Sequence, residues 1–430
     1  MTVNKRGEKM YKSFNLNEKL IKLSEETESE LADIFNNFDK ICMINSSKIL
    51  KAFHNASVAS SDLAEINGYG FYDSGRDKLE KIYAEIFGAE DALVRPQIMS
   101  GTHAISLTLF GLLKPGDTML SISGTPYDSL QTLIGIAGDN RNSLIKYGVK
   151  YEEIGLINDD FDTEAIIKRV GKKDLKLVEI QRSRGYAHRK SLTIEKIARI
   201  IEEIRKVNKD VIIMVDNCYG DLVEDKEPTN VGADIIVSSL MKNLGGGIAK
   251  TGGYVVGKKH LIEDVADRFS APGTGKDIGA NFNENINYFK GLFLAPRAVN
   301  ASLKTAVFAS RLMEKLGFNV DPKFDEPRTD IVQTVDLFTP ENIENFCIGL
   351  QKGSPIDSFV HPVAAPMPGY PHDEIMAAGT FTSGSTIELS ADGPMTPPYT
   401  LYMQGALSYE YGKLGVLIAL NDVISKKDSI

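Results

Sequence analysis

Four short stretches of this chain combine residue types that can do chemistry together. Lys242 stands in "SSLMKNLGGG" (238–247), just past the apolar run "DIIVSSL" and just before three glycines. A lysine at the edge of a buried strand loses solvent, and desolvation lowers its pKa. It then becomes a nucleophile able to form a Schiff base with a carbonyl. On position alone a solvated lysine is the commoner case, so the other stretches must decide. Asp216 ends the apolar run "VIIMVD". It is either a turn or capping residue or a charge kept for a partner, such as the protonated nitrogen of a pyridine ring. "QIMSGTHAI" (97–105) places Ser100, Gly101 and Thr102 at the start of a helix. Backbone N–H groups and the helix dipole make an anion site there, and Ser239, three residues before Lys242, adds a hydroxyl. "SGTPYDSL" (123–130) follows the strand-like "TMLSIS" and offers Tyr127 to lie flat on a ring. His103 is a competing stacking residue.

A lysine for an aldehyde, a carboxylate for a pyridinium nitrogen and a turn for a phosphate are what pyridoxal 5′-phosphate (PLP) requires of a protein. Their order across residues 100–242 resembles the fold type I PLP enzymes, and within them the Cys/Met metabolism group of cystathionine β-lyase and methionine γ-lyase. "GYGFYDSGRDKLE", "EIQRSRGYAHRKSLTI", "VDNCYGD", "MKNLGGGIAKTGGY" and "FTSGSTIELSADGPMTPPYTLYMQGAL" further resemble a bacterial subgroup described as methionine γ-lyase family or aluminium resistance protein. The resemblance implies that Lys242 carries the cofactor, Asp216 faces its ring nitrogen and Tyr127 stacks on it. It also implies a phosphate site of Ser100, Gly101, Thr102 and Ser239. Tyr72 and Arg76, with Tyr69 as an alternative to Tyr72, would reach the phosphate site of a neighbouring subunit in a homodimer or homotetramer with shared active sites.

Three departures stand out. Met241 replaces the threonine that usually precedes the lysine. "QRSRGY" replaces a short Asn-Pro segment, and its Arg182 and Arg184 are candidates for a substrate carboxylate, which a guanidinium fits well. The group's C-terminal arginine has no counterpart, since Arg328 is the last arginine of the chain. "SAPGTGKDIG" (270–279) imitates a Walker A loop, but Ser270 stands where its first glycine belongs and Asp277 follows Lys276. Nucleotide binding is rejected there.

The elements that must position these residues alternate. "DKLEKIYAEIFG" is a helix ended by Gly88, "DALVRP" a strand, and "GTHAISLTLFGLL" a buried helix. "TMLSIS", "LKLVEIQ", "VIIMVD", "DIIVSSL" and "GYVVG" read as strands buried on both faces. "LTIEKIARIIEEIRKVN" is an amphipathic helix with Thr193 as its cap. The fold class expected is α/β: a three-layer α/β/α domain of fold type I with a smaller C-terminal α+β domain. The expected divisions are an N-terminal helical arm over 1–65, a large cofactor domain over 66–300 and a small domain over 301–430.

Composition narrows the function. A net charge of -9 over 430 residues argues against a nucleic-acid surface. The three cysteines, Cys42, Cys218 and Cys347, lack metal-site or disulfide spacing. The polar N-terminus has no signal-peptide apolar region, and no run spans a bilayer, so a cytoplasmic protein without a metal is expected. The resemblance implies a PLP-dependent carbon–sulfur lyase acting on a small sulfur-containing amino acid. An aldolase or aminotransferase, or a PLP-binding protein with a regulatory or resistance role and no turnover, stays open on these residues.

Overall fold

A computed structural model describes residues 11–69, 73–367 and 372–427. The chain divides into two compact units. One is Met43–Pro296; the other combines Met1–Cys42 with Arg297–Ile430.

The Met43–Pro296 unit is built on a seven-stranded sheet. In spatial order its strands are Asp91–Arg95, Gly253–Gly257, Ile235–Ser239, Ile212–Asp216, Leu175–Gln181, Thr118–Ser121 and Lys150–Glu153. The neighbours from Ile235–Ser239 to Lys150–Glu153 pair in parallel. Gly253–Gly257 runs antiparallel to both of its neighbours. Every residue of Ile212–Asp216 and of Ile235–Ser239 is buried, which is why these runs carry no polar alternation.

Helices cover both faces. Tyr254 meets Tyr83 and Phe87 of the helix Ser74–Phe87, with ring centroids 5.3 and 5.5 Å apart. Its neighbour Val255 points the other way and joins the core of Ala104, Ile105 and Leu109 from the helix Gly101–Leu112. The caps follow the sequence. Asp73 accepts from the Arg76 N–H at 2.9 Å, and Gly88 ends that helix at φ 61°. Thr193 caps Ile194–Val207 by accepting from the Lys196 N–H at 3.2 Å.

The other unit holds a six-stranded sheet whose paired strands are all antiparallel. The helices Pro340–Lys352 and Tyr409–Lys427 accompany it and pack on each other. A Cβ on Gly349 would lie 2.6 Å from Ala419 Cα, so the close approach of these helices depends on that glycine. The helix Asn285–Lys315 carries Pro296 in its interior, and the boundary between the units falls there. Among the described residues, no helix is long and apolar enough to cross a membrane.

Candidate active site

The C-terminal ends of the parallel strands gather the polar residues, as open α/β sheets do. Gln181, Asp216 and Ser239 each close their strand. All three are buried, so each must find partners inside the protein.

Asp216 accepts a 3.0 Å hydrogen bond from the Cys218 N–H. Burial pushes its carboxyl above the ordinary range, and the Cys218 contacts, Lys242 and Arg189 pull it back. Lys242, three residues past Ser239, is half-buried. Desolvation works against its charge, yet its pKa lies above the ordinary lysine value because Cys218, Tyr219, Tyr127 and Asp216 surround it with acidic groups. This departs from the lowered pKa expected from burial alone: the acidic groups around the amine, Asp216 among them, outweigh desolvation. The ammonium lies over the ring of Tyr219, 4.5 Å from its centroid.

The Ser-Gly-Thr turn lies against the same group. Ser100 caps the helix Gly101–Leu112 by accepting from the His103 N–H at 3.1 Å. The first-turn amides of Gly101 and Thr102 have no partner within the helix, which leaves them as donors to an anion. A Cβ on Gly101 would stand 3.2 Å from Cys218 Sγ and 3.3 Å from Ser239 Cβ, so a side chain there would press on both. Gly101→Val is therefore expected to destabilise the protein by about 1–3 kcal/mol through overpacking, measured by urea denaturation. Tyr127 Oη lies 3.4 Å from Thr102 Oγ1, and its N–H donates to Gln181 Oε1 at 3.0 Å. Burial raises the Tyr127 phenol well above its usual range, so it stays neutral. Ser239 Oγ accepts from the Met241 N–H at 3.1 Å, a local cap that leaves its own O–H to donate.

Ser100, Gly101, Thr102, Tyr127, Asp216, Ser239 and Lys242 thus lie together in one unit of the fold. Other expected residues are placed differently. Arg182 is fully buried, and its guanidinium is committed to Glu224 Oε1 at 2.8 Å, Glu227 Oε2 at 3.7 Å, Asn217 Oδ1 at 2.8 Å and the Gly220 carbonyl at 2.9 Å. This corrects its assignment to a substrate carboxylate: it braces the segment after Asp216 from behind. Arg184 is buried, its N–H donating to Ser191 Oγ at 3.0 Å. Arg76 is buried too, donating to the Gly68 carbonyl at 3.3 Å and pairing with Asp77. Tyr69 is exposed, and Tyr72 lies outside the described residues. His103 accepts from the Met99 N–H through Nδ1 at 3.2 Å, a contact within its own turn. Lys276 of the Walker-like loop is bound to Asp91 at 2.6 Å and Glu80 at 3.1 Å, which accounts for its charge without a nucleotide.

Sequence reasoning gave no role to Cys218, Tyr219, Arg189 or Glu179. The first two stand inside "VDNCYGD", so their closeness to Asp216 was visible but their direction was not. Glu179 lies two residues before Gln181, the partner of Asp216 in register, and therefore on the same face of the sheet. Burial, with the Asp216 charge adding to it, pushes its carboxyl up to about 7. Its Oε2 accepts from Ser121 Oγ at 2.8 Å.

A half-buried lysine and a buried aspartate, in the same unit as the close-packed start of the helix Gly101–Leu112, invite comparison with known families. The methionine gamma-lyase family profile matches residues 20–424. The chain belongs to the methionine gamma-lyase family. A Bacillus subtilis relative, uncharacterized protein YnbB, is 44% identical over 97% of this chain and 100% of its own length. A Clostridium acetobutylicum structure, whose name proposes a cystathionine beta-lyase involved in aluminum resistance, is 45% identical. It covers 99% of each chain with a TM-score of 0.94. A Clostridium novyi structure named carbon-sulfur lyase involved in aluminum resistance is 43% identical over 96% of this chain and 98% of its own, with a TM-score of 0.92. The Escherichia coli protein YhfS, described as pyridoxal-5′-phosphate dependent, shares the fold at 16% identity and a TM-score of 0.61. The architecture is that of the fold type I family, as the order of motifs implied.

The residues fit pyridoxal phosphate on structural grounds. Gly101 forms a cradle that a Cβ would fill, and free amide donors stand at the helix start. Asp216 is a buried acceptor with opposite charge nearby. Lys242 would supply the amine.

Proposed function

We propose that this chain is a PLP-dependent carbon–sulfur lyase acting on a small sulfur-containing amino acid. The observation that carries the reading is the convergence of Lys242 and the buried Asp216 in one site beside the Ser100–Thr102 turn. Ser100, Gly101, Thr102 and Ser239 would hold the phosphate through hydroxyl and amide donors. Tyr127 would cover one face of the ring, fixed there by its Gln181 and Thr102 contacts. Asp216 would keep the ring nitrogen protonated, its own ionised form favoured by Lys242 and Arg189. Bound there, the cofactor supplies an electron sink conjugated to the substrate amine, which acidifies the α-proton.

Lys242 then takes that proton as general base. With the α-proton gone, a thiol on the β-carbon can leave directly, whereas one on the γ-carbon leaves only after a second proton is taken from the β-carbon; hydrolysis then gives a 2-oxo acid and ammonia. Arg184 remains the candidate for the substrate carboxylate, because Arg182 is committed to Glu224 and Glu227. The working assembly would be a homodimer or homotetramer in which Tyr72 and Arg76 complete a neighbouring site. Work in the cytoplasm is in keeping with Cys42, Cys218 and Cys347, none of which forms a disulfide.

The test is direct. Purified protein is incubated with cystathionine, cysteine and methionine, and 2-oxo acid and thiol are measured. Release of both from at least one substrate supports the reading. No product from any of the three overturns it.

A further inference from the structure

Tyr219 occupies a conformation that tyrosine rarely adopts. Its φ is 67°, in the left-handed region that disfavours a Cβ. Several contacts hold it there. Asn243, the residue after Lys242, donates through Nδ2 to the Tyr219 carbonyl at 2.9 Å and to the Asp221 carbonyl at 2.8 Å. Asp221 in turn accepts from Asn217 Nδ2 at 2.5 Å, Ser238 Oγ at 3.0 Å and Tyr254 Oη at 2.5 Å. The Leu222 N–H donates to Glu227 Oε1 at 2.8 Å, and Asn45 Nδ2 donates to the Leu222 carbonyl at 3.0 Å. An over-determined, strained residue next to a reactive lysine points to function.

The consequence of this bracing is that one ring face is presented to the Lys242 ammonium at 4.5 Å. Asn243 couples the two directly, because it follows the lysine in the chain and pins the tyrosine by its carbonyl. A cation over an aromatic face is attracted by the ring quadrupole, and more strongly where solvent is partly excluded; Lys242 and Tyr219 are both half-buried. Cys218, Tyr127 and Asp216 are the other titratable groups around the ammonium.

We infer that Tyr219 is a positioning residue for Lys242: its ring face is the resting place of the lysine ammonium whenever that side chain is not bonded to the cofactor. The inference rests on the reading of Lys242 as cofactor lysine and base. A released lysine has a long flexible stem, and the ring limits where it can go. By favouring the charged form, the ring also retains on Lys242 the proton taken from the substrate until it is returned. Tyr219 touches neither substrate nor cofactor in this role.

The test varies the charge of the ring face without its shape. Phenylalanine, monofluorophenylalanine and trifluorophenylalanine are placed at position 219 of the full-length chain. Each protein is stripped of cofactor with hydroxylamine and dialysed. Reaction of Lys242 with an amine-selective reagent at fixed pH is then followed by peptide mapping. Fluorine drains the face of the ring, so the ammonium is favoured less and more free amine is present. Lys242 is expected to react at close to the wild-type rate in Tyr219→Phe and roughly three- to thirtyfold faster in the trifluoro protein, with the monofluoro protein between. A rate that does not change along the series, or a Tyr219→Phe protein already as fast as the trifluoro protein, overturns the inference. Protection of Lys242 by added pyridoxal phosphate is measured in parallel. Loss of protection in the wild type would strike the cofactor reading, whereas a flat fluorine series with protection intact would strike the ring alone.

Discussion

Lys242→Ala is expected to give a folded, colourless protein whose release of 2-oxo acid falls by at least about 1000-fold. The wild type is expected to be yellow. Lys242 is the amine in this site that stands among Asp216, Cys218, Tyr127 and Tyr219. Alanine removes the covalent anchor and the base at once, so the two losses combine. Folding is expected to survive, because Lys242 is half-buried and alanine leaves the hydrogen bonds of the adjoining segment in place. Asn243, which does tie segments together, is untouched. The check is the visible spectrum beside a circular dichroism spectrum and the product assay. A yellow, active Lys242→Ala protein would contradict the assignment.

Asp216→Asn is expected to lower turnover by about 100- to 1000-fold, the usual cost of losing a preorganised charge. The substitution is nearly isosteric. Asparagine can still accept the 3.0 Å hydrogen bond from the Cys218 N–H through its carbonyl oxygen, so the turn after the strand is kept. What is lost is the negative charge. A neutral amide cannot keep a ring nitrogen protonated, and the cofactor would withdraw electrons less well. Lys242 also loses one of the groups that raise its pKa. Binding of pyridoxal phosphate is expected to weaken while the protein stays folded. Equilibrium titration with the cofactor and kcat for the most active substrate measure the two effects separately. An Asp216→Asn protein with unchanged kcat would show that Asp216 is only a capping residue.

The core of the site was legible because it lies at strand ends. Apolar runs closing in a carboxylate or followed by a lone lysine are visible in one dimension, and so is a Ser-Gly-Thr helix start. The large sheet was legible for the same reason, although its order was not. Gly253–Gly257 inserts between Asp91–Arg95 and Ile235–Ser239, strands far apart in the sequence, and the apolar run "GYVVG" contains nothing that specifies this antiparallel pairing.

Arg182 shows where reading along the chain fails. Its partners Glu224 and Glu227 lie beyond the next strand, so a guanidinium that looked available is committed once the strands pair. Tyr219 fails for another reason. Its ring lies under the Lys242 ammonium and its backbone takes a φ of 67°, neither of which a tyrosine in a sequence announces. The pKa of Lys242 was misjudged because burial is inferable from an apolar run, whereas the acidic groups gathered around the amine come from two other stretches, residues 216–219 and Tyr127.

The most direct measurement is to reduce the purified protein with borohydride, digest it and locate the pyridoxyl group by mass spectrometry. Reduction fixes a Schiff base as a stable amine on whichever lysine formed it. The expected result is a single modified peptide carrying the group on Lys242. Modification of a different lysine, or no pyridoxyl peptide from protein incubated with pyridoxal phosphate, would contradict the account.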